Sequence, residues 1–135
     1  MEFTNFSIRA TAHPIELEST DGVWDLHNTS RFAGVTFEPD TRAVICEWIG
    51  APGVWRDRPP TPYGGCQLQF SDVSATKFAL SLRGEVPDPS CLRYMVYEPN
   101  GALGAGTLIF EFLDGSRLTV TARTVTLIPI LARAS

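Results

Sequence analysis

Short runs rich in Val, Ile, Phe, Thr and Tyr recur along the whole chain, separated by clusters of Gly, Pro and Asp. Such runs are typical of β-strands, whose pleated surface suits β-branched and aromatic side chains, and the clusters are typical of turns. No stretch of helical length repeats its apolar residues with a period of about 3.6. The sequence therefore predicts an all-β or β-rich α+β domain, with antiparallel strands forming a sandwich or a strongly curved sheet.

Ten candidate strands are indicated, one or two more than we expect to form. Parallel βαβ architecture is not expected, because no periodic helix separates the strands. Pro129 lies inside the last strand and indicates the edge of a sheet, where its missing amide hydrogen is harmless. The ten predicted strands lie near Phe3–Arg9, Ile15–Glu18, Arg31–Phe37, Ala43–Ile49, Cys66–Phe70, Thr76–Arg83, Leu92–Glu98, Thr107–Phe112, Ser116–Ala122 and Val125–Ile130.

The clearest hairpin signal is a Leu-Asp-Gly sequence between two alternating runs. A two-residue Asp-Gly turn would mix polar and apolar side chains on each face. A three-residue loop pairs Phe112 with Ser116 and places Glu111 opposite Arg117. We favour this loop, since its third position needs a left-handed residue and the sequence has Gly115 there. One face of the hairpin then collects Leu108, Phe110, Phe112, Leu118, Val120 and Ala122.

The 135 residues, of which 44% are hydrophobic, suit one β-rich domain spanning residues 1–135. A chain of this length buries roughly two thirds of its unfolded surface, so its core requires neither a metal nor a disulfide. Cys46, Cys66 and Cys91 are odd in number and widely spaced, which indicates small buried side chains. Neither the cysteines nor the two histidines have the short spacing of zinc ligands, so no metal site and no cofactor are expected.

The charged residues disfavour a polyanionic partner. The net charge is −4, and ten arginines and the single lysine are scattered along the chain rather than clustered. A nucleic-acid footprint would show a basic run or stripe, so no nucleic-acid binding is expected. The N-terminal residues do not form a basic start followed by an apolar run, and no apolar stretch is long enough for a membrane span. We therefore expect a cytoplasmic protein that does not bind membranes.

Residues 50–65 contain four prolines and four glycines and are predicted to be neither strand nor helix. Loops of this length in compact domains are usually functional or disordered. This one carries Trp55, Arg56, Arg58 and Tyr63, whose side-chain types dominate interface hot spots, and its prolines lower the entropy lost on binding. The alternative is that Trp55 and Tyr63 fold back and cover the open end of the sandwich.

A polar corner that includes Trp24, His27 and Asn28 adjoins this loop in the predicted binding surface. A catalytic interpretation would use His27 as a base, Asp25 to orient it and Ser30 as the nucleophile. Ser30 lacks the glycine-flanked turn that exposes a nucleophile, and neighbours in sequence seldom place a triad correctly. We therefore favour a structural corner in which His27 and Asn28 bond to backbone groups, and we predict no catalytic residue.

Three segments of the chain resemble known proteins. The first is the corner formed by Leu26, His27, Asn28, Thr29 and Ser30, and the second is the strand pair Phe32–Phe37 and Ala43–Trp48. The third consists of Leu68, Phe70 and Val73. Their order resembles a group of small bacterial proteins that includes immunity proteins of polymorphic toxin systems. The resemblance spans residues 23–127, and Asn28 stands where the group usually has an acidic residue. It implies a non-enzymatic domain that binds and blocks a protein partner.

These features predict a protein-binding module that is not an enzyme. One specific version of this prediction is an immunity-type protein that blocks a toxin partner. One alternative is a small-ligand-binding β domain with Trp48, Phe110, Phe112 and Leu118 lining a cavity. Another is a hydrolase that uses His27. A homodimer formed through the edge strand Val125–Ile130 is a further possibility.

Overall fold

The computed structural model describes residues 1–9, 15–53, 61–80, 91–99 and 103–132. These residues form twelve β-strands and one short 3-10 turn, Pro39–Thr41. The strands are β1 (Glu2–Thr4), β2 (Ser7–Ile8), β3 (Glu16–Ser19), β4 (Gly22–Asp25), β5 (Arg31–Glu38), β6 (Ala43–Ile49), β7 (Tyr63–Ser71), β8 (Ala75–Ala79), β9 (Leu92–Pro99), β10 (Gly106–Phe112), β11 (Arg117–Ala122) and β12 (Thr124–Leu131).

The strands form three sheets, with the orders β1-β12-β7-β6-β5, β8-β11-β10-β9 and β2-β3-β4. Aromatic rings from the first two sheets meet between them. The ring centroids of Trp48 on β6 and Phe110 on β10 are 5.6 Å apart, and those of Phe32 on β5 and Phe112 on β10 are 4.8 Å apart. The five-stranded and four-stranded sheets therefore pack face to face, which confirms the predicted sandwich-like β fold.

Alternation along each strand separates the core from the outer faces. On β6, Val44, Cys46 and Trp48 are buried, while Glu47 and Ile49 belong to the opposite, outer face. Fully burying one large apolar side chain contributes about 1.5–3 kcal/mol. The twelve largest side chains that are completely buried are Trp24, Trp48, Phe70, Phe110, Phe112, Leu17, Leu26, Leu68, Leu92, Met95, Leu108 and Leu118.

The hairpin of β10 and β11 has the predicted three-residue loop. The amide of Phe112 donates to the carbonyl of Ser116 at 2.9 Å, and Glu111 pairs with Arg117. Gly115 has a φ of +88°, in the left-handed region that the third loop position requires. All six apolar side chains assigned to one face of this hairpin are buried.

Three strand predictions need correction. The run Phe3–Arg9 is broken into β1 and β2, because Asn5 adopts a φ of +70° that no regular strand tolerates. β4 was not predicted; its four residues pair with β3 as a hairpin. Residues 63–65, predicted as loop, belong to β7. Gly65 fits this ladder because the carbonyl oxygen of Trp48 leaves no space for a Cβ atom.

The first strand is the exception to antiparallel pairing, because β1 pairs with β12 in parallel, from Glu2 and Thr124 to Thr4 and Thr126. A parallel pair needs a long connection, and here nearly the whole chain provides it. β12 is thus not an edge strand over residues 124–126, contrary to the prediction. The amide of Glu2 donates to Arg123, so the odd-numbered residues of β12 direct their backbone polar groups toward the β1 side. Pro129 is one of these and lies past the end of the β1 pairing, where its missing amide hydrogen breaks no ladder bond.

The three-stranded sheet adds to the same core. Leu17 on β3 pairs with Trp24 on β4, and both side chains are fully buried. Val23 forms an isolated bridge with Gly53, with hydrogen bonds of 2.8 and 2.7 Å in the two directions. This small sheet therefore fixes the beginning of the segment that follows β6.

Gly115→Ala should destabilise the protein by about 1 kcal/mol, because a Cβ atom disfavours the left-handed conformation of the hairpin loop. Urea unfolding monitored by tryptophan fluorescence measures this loss. Gly115→Asn is the matched control, since Asn tolerates the conformation better than Ala, and it should lose less. Equal stability of Gly115→Ala and the wild type would contradict the assigned loop.

Burial raises the pKa of the Cys66 thiol to about 12, with the negative charge of Glu47 adding to the effect. Burial also raises the pKa of the Cys46 thiol well above its ordinary value. Since iodoacetamide reacts with the thiolate, neither residue should be alkylated in the native protein at mildly alkaline pH, and both should react in urea. Mass spectrometry of the digested protein reads both sites. Rapid native alkylation of Cys66 would contradict its burial.

Candidate functional site

The predicted polar corner is a compact turn organised by Asp25. One carboxylate oxygen of Asp25 accepts the backbone amides of His27 and Asn28 at 3.0 and 2.9 Å. The other accepts the side-chain amide of Asn28 at 2.9 Å. Its backbone carbonyl accepts the amides of Thr29 and Ser30. One residue thus directs the chain from the end of β4 to the start of β5.

These contacts favour the ionised form of Asp25. Partial burial of the carboxyl opposes ionisation, but hydrogen bonds from Asn28 and His27 outweigh it, and the pKa of Asp25 lies below its ordinary value. The carboxylate therefore acts as a structural acceptor for the turn.

The ring of His27 is held by a different part of the chain. Its Nδ1 lies 2.6 Å from the carbonyl oxygen of Leu92, at the start of β9. A carbonyl oxygen can only accept, so Nδ1 is the donor in this hydrogen bond. The hydrolase arrangement is not assembled: Asp25 bonds to backbone amides rather than to this ring, and Ser30 is 1% exposed. His27 has the backbone bond predicted for a structural corner.

The other two corner residues predicted to bind a partner differ in accessibility. Trp24 is completely buried, because the alternation of β4 directs it into the core beside Leu17. Its assignment to a binding surface needs correction. Asn28 is exposed, and its side chain bonds to Asp25 rather than to a backbone group. Of the predicted corner set, Asn28 and the half-buried His27 are the residues at the surface.

The loop between β6 and β7 has a closed base. Trp55, Arg56 and Arg58 lie outside the described residues. At the base, the amide of Gly50 donates to the carbonyl of Gly64 at 2.8 Å. Tyr63 lies in β7 and packs partly buried against the core, as in the alternative in which it covers the end of the sandwich.

The corner and the base of this loop touch each other. Gly50 packs so closely on the backbone of Thr29 and Ser30 that a Cβ atom would overlap the Thr29 carbonyl. Ile49, the preceding residue, pairs with Arg31 at the start of β5. The corner therefore fixes the backbone at one side of the loop base.

A groove that the sequence analysis did not identify lies on the outer face at this loop base. We call it the glycine groove; it has a volume of about 350 Å³ and is lined by Glu47, Trp48, Ile49, Gly64, Gly65, Ile130, Leu131 and Ala132. Gly65 pairs with Ile49 on one side and with Ile130 on the other, so a residue without a side chain separates two isoleucines. Ile49 is 60% exposed and Leu131 is 66% exposed. The groove is thus an open, mainly apolar depression in three adjoining strands.

One charged group lines the glycine groove. Glu47 is half-buried on β6, and among the residues that the structure describes its carboxylate forms neither an ion pair nor a hydrogen bond. Its cross-strand neighbour Gln67 bonds through its side chain to Gln69 at 3.1 Å. The groove therefore joins apolar walls to one carboxylate that has no counter-charge in the described part of the chain.

The residues predicted to line a ligand cavity belong to the core. Phe110, Phe112 and Leu118 are completely buried, and in the described part of the chain Trp48 also lines the glycine groove. Within the described ranges, no three His, Cys, Asp or Glu side chains converge on a metal-sized position. No helix in the described part of the chain is long and apolar enough to cross a membrane.

Comparisons with known proteins add no relationship. Neither a family model, nor a curated protein, nor a solved structure matches this chain.

Asp25→Ala should lower the free energy of unfolding by about 1 kcal/mol near neutral pH, because the turn loses its carboxylate acceptor. The pKa of Asp25 is depressed in the folded state, so its charge stabilises the protein above the unfolded pKa. That contribution is lost as the pH falls through the folded pKa. Urea unfolding at about pH 6 and about pH 3 measures the change.

Asp25→Asn is the matched variant, because it keeps one acceptor oxygen and removes the charge. The stability difference between this variant and the wild type should shrink on acidification. A difference that is the same at both pH values would contradict the role of the ionised carboxylate.

Proposed function

We propose that this protein is a protein-binding module that holds its partner at the glycine groove and the adjoining loop base. The observation that carries the proposal is the pair of exposed apolar side chains, Ile49 and Leu131, at the borders of a depression floored by Gly64 and Gly65. Apolar side chains clustered at a depression mark interaction sites more often than apolar residues exposed singly. A partner side chain seated over the glycines would remove both from water.

The surroundings of the groove support the same function. The Pro-rich loop, with the predicted binding residues Trp55, Arg56 and Arg58, follows the groove residue Ile49 in the sequence. The loop base is held by the Gly50 to Gly64 hydrogen bond and by the corner, so the groove walls lose little entropy on binding. An apolar centre whose backbone is already fixed is typical of an interface hot spot.

An immunity-type role is one form of this function, and it rests on the resemblance of the corner and strand motifs. The net charge of −4 suits a basic partner, since long-range attraction speeds the encounter of oppositely charged proteins. The partner in that case is a toxin that the module blocks by covering part of its surface.

The double substitution Ile49→Ser and Leu131→Ser should weaken the binding of the partner. The tagged wild type and the double variant are used as baits in lysate of the cell that makes the protein, and mass spectrometry identifies what each retains. The partner is then purified, and its affinity for both baits is measured by calorimetry. We expect at least about a tenfold loss in the variant, because interface anchors typically contribute more than 1 kcal/mol each.

Leu103→Ser is the matched control. Leu103 is 85% exposed and lines a cavity with Asp72 and Arg123, near the opposite ends of β7 and β12 from the groove. This variant should bind as the wild type does. A partner that binds the wild type and the groove variant equally, or the absence of any specific partner, would overturn the proposed function.

A further inference from the structure

We infer that the glycine groove receives a cationic alkyl side chain, a lysine or an arginine, from the partner. The inference rests on the proposed function and specifies the chemistry of the group that the groove recognises. It is carried by the position of Glu47, whose carboxylate is paired with no described residue and borders an apolar depression of side-chain size.

The strand register gives the groove its two parts. Ile49, Gly65 and Ile130 form one row across β6, β7 and β12, and Glu47, Gln67 and Ile128 form the next row on the same face. Residues two apart on a strand are about 7 Å apart. The four-carbon stem of a lysine spans a similar distance. A stem lying over Gly65 between the two isoleucines can thus bring its ammonium group to the Glu47 carboxylate.

The charge of Glu47 decides between a cationic and a neutral occupant. Any partner that covers the groove also removes water from this carboxylate, and a covered charge without a partner is costly. Among the described residues no cation bonds to Glu47, and a cationic side chain of the partner would supply the compensating charge. A neutral apolar side chain would fill the walls and leave the carboxylate desolvated.

The apolar walls explain why a long cationic side chain fits better than a free cation. Lysine and arginine bury their methylene stems along apolar surfaces while the charged end reaches a polar group. Ile49 and Ile130 supply such a surface on both sides of Gly65, which itself occupies no side-chain space. The acidic chain as a whole, with a net charge of −4, also attracts a basic segment.

The test uses three capped amino acids, the N-acetyl methylamides of lysine, arginine and norleucine, titrated into the full chain. Norleucine has the lysine stem without the charge. Amide chemical shifts of Gly64, Gly65 and Ile130 report occupancy of the groove. We expect lysine and arginine to bind about fivefold more tightly than norleucine, the difference typical of one solvent-accessible ion pair.

Glu47→Gln should abolish this preference and leave norleucine binding unchanged. Glu98→Gln is the matched control, because it removes the same charge from an exposed position on β9 and should keep the preference. Equal binding of lysine and norleucine by the wild type would overturn the inference, as would a preference that survives Glu47→Gln. The absence of shifts at the groove with all three probes would overturn it as well.

The purified partner separates this inference from the proposed function. If the Ile49→Ser, Leu131→Ser double variant loses affinity for the partner while Glu47→Gln retains full affinity, the protein-binding function stands. The inference that the groove receives a cationic side chain is then wrong. If the capped cations bind with the expected preference but no partner depends on Ile49 and Leu131, the groove chemistry stands and the proposed function is wrong.

Discussion

The packing of two sheets through aromatic rings is the constraint on which the rest of this structure depends. Trp48 and Phe70 from the five-stranded sheet both approach Phe110 from the four-stranded sheet, at 5.6 and 6.5 Å between centroids. Their burial fixes which face of each strand is internal, and the period of two then assigns every neighbouring side chain to the other face. The position of Ile49 and Glu47 on the outer face follows from the inward direction of Trp48.

The features that could be predicted from the sequence are those in which one local pattern determines the bounds of a strand or the register of a hairpin. Ala43–Ile49 was predicted at the observed bounds because a short run rich in Val and Ile lies between two turn signals. The register of the β10 to β11 hairpin followed from the demand for glycine at one loop position. β4 escaped prediction because four residues with a glycine at the first position carry too little alternation to be told from a turn. Gly64 and Gly65 were assigned to the loop by composition, although close packing against the neighbouring strands is what requires them.

The candidate site was harder to predict, because its parts converge from distant positions. The glycine groove combines residues of β6, β7 and β12, and only the strand register brings Ile49, Gly65 and Ile130 into one row. The one sequence signal for the groove was the pair of glycines, Gly64 and Gly65, at the start of β7. The isoleucines that face Gly65 lie on β6 and β12, and their pairing with it is not visible in the sequence. The corner was found from sequence because its hydrogen bonds are local, but the burial of Trp24 depends on its pairing with Leu17 and could not be read from neighbouring residues. Trp55, Arg56 and Arg58 stay predictions, since they lie outside the described residues.

The corner acts on the groove indirectly, through the backbone, and does not line the groove itself. Asp25 holds the turn that positions Thr29 and Ser30, and the backbone of those residues packs against Gly50. Gly50 is followed by the loop and preceded by Ile49, one wall of the groove. The Asp25 carboxylate, which lies outside the lining of the groove, therefore helps to hold Ile49 in place, because β6 cannot shift at this end without disturbing the turn. Under the proposed function, a groove wall held in this way favours a partner side chain of one width and length, and the structural corner then contributes to binding specificity.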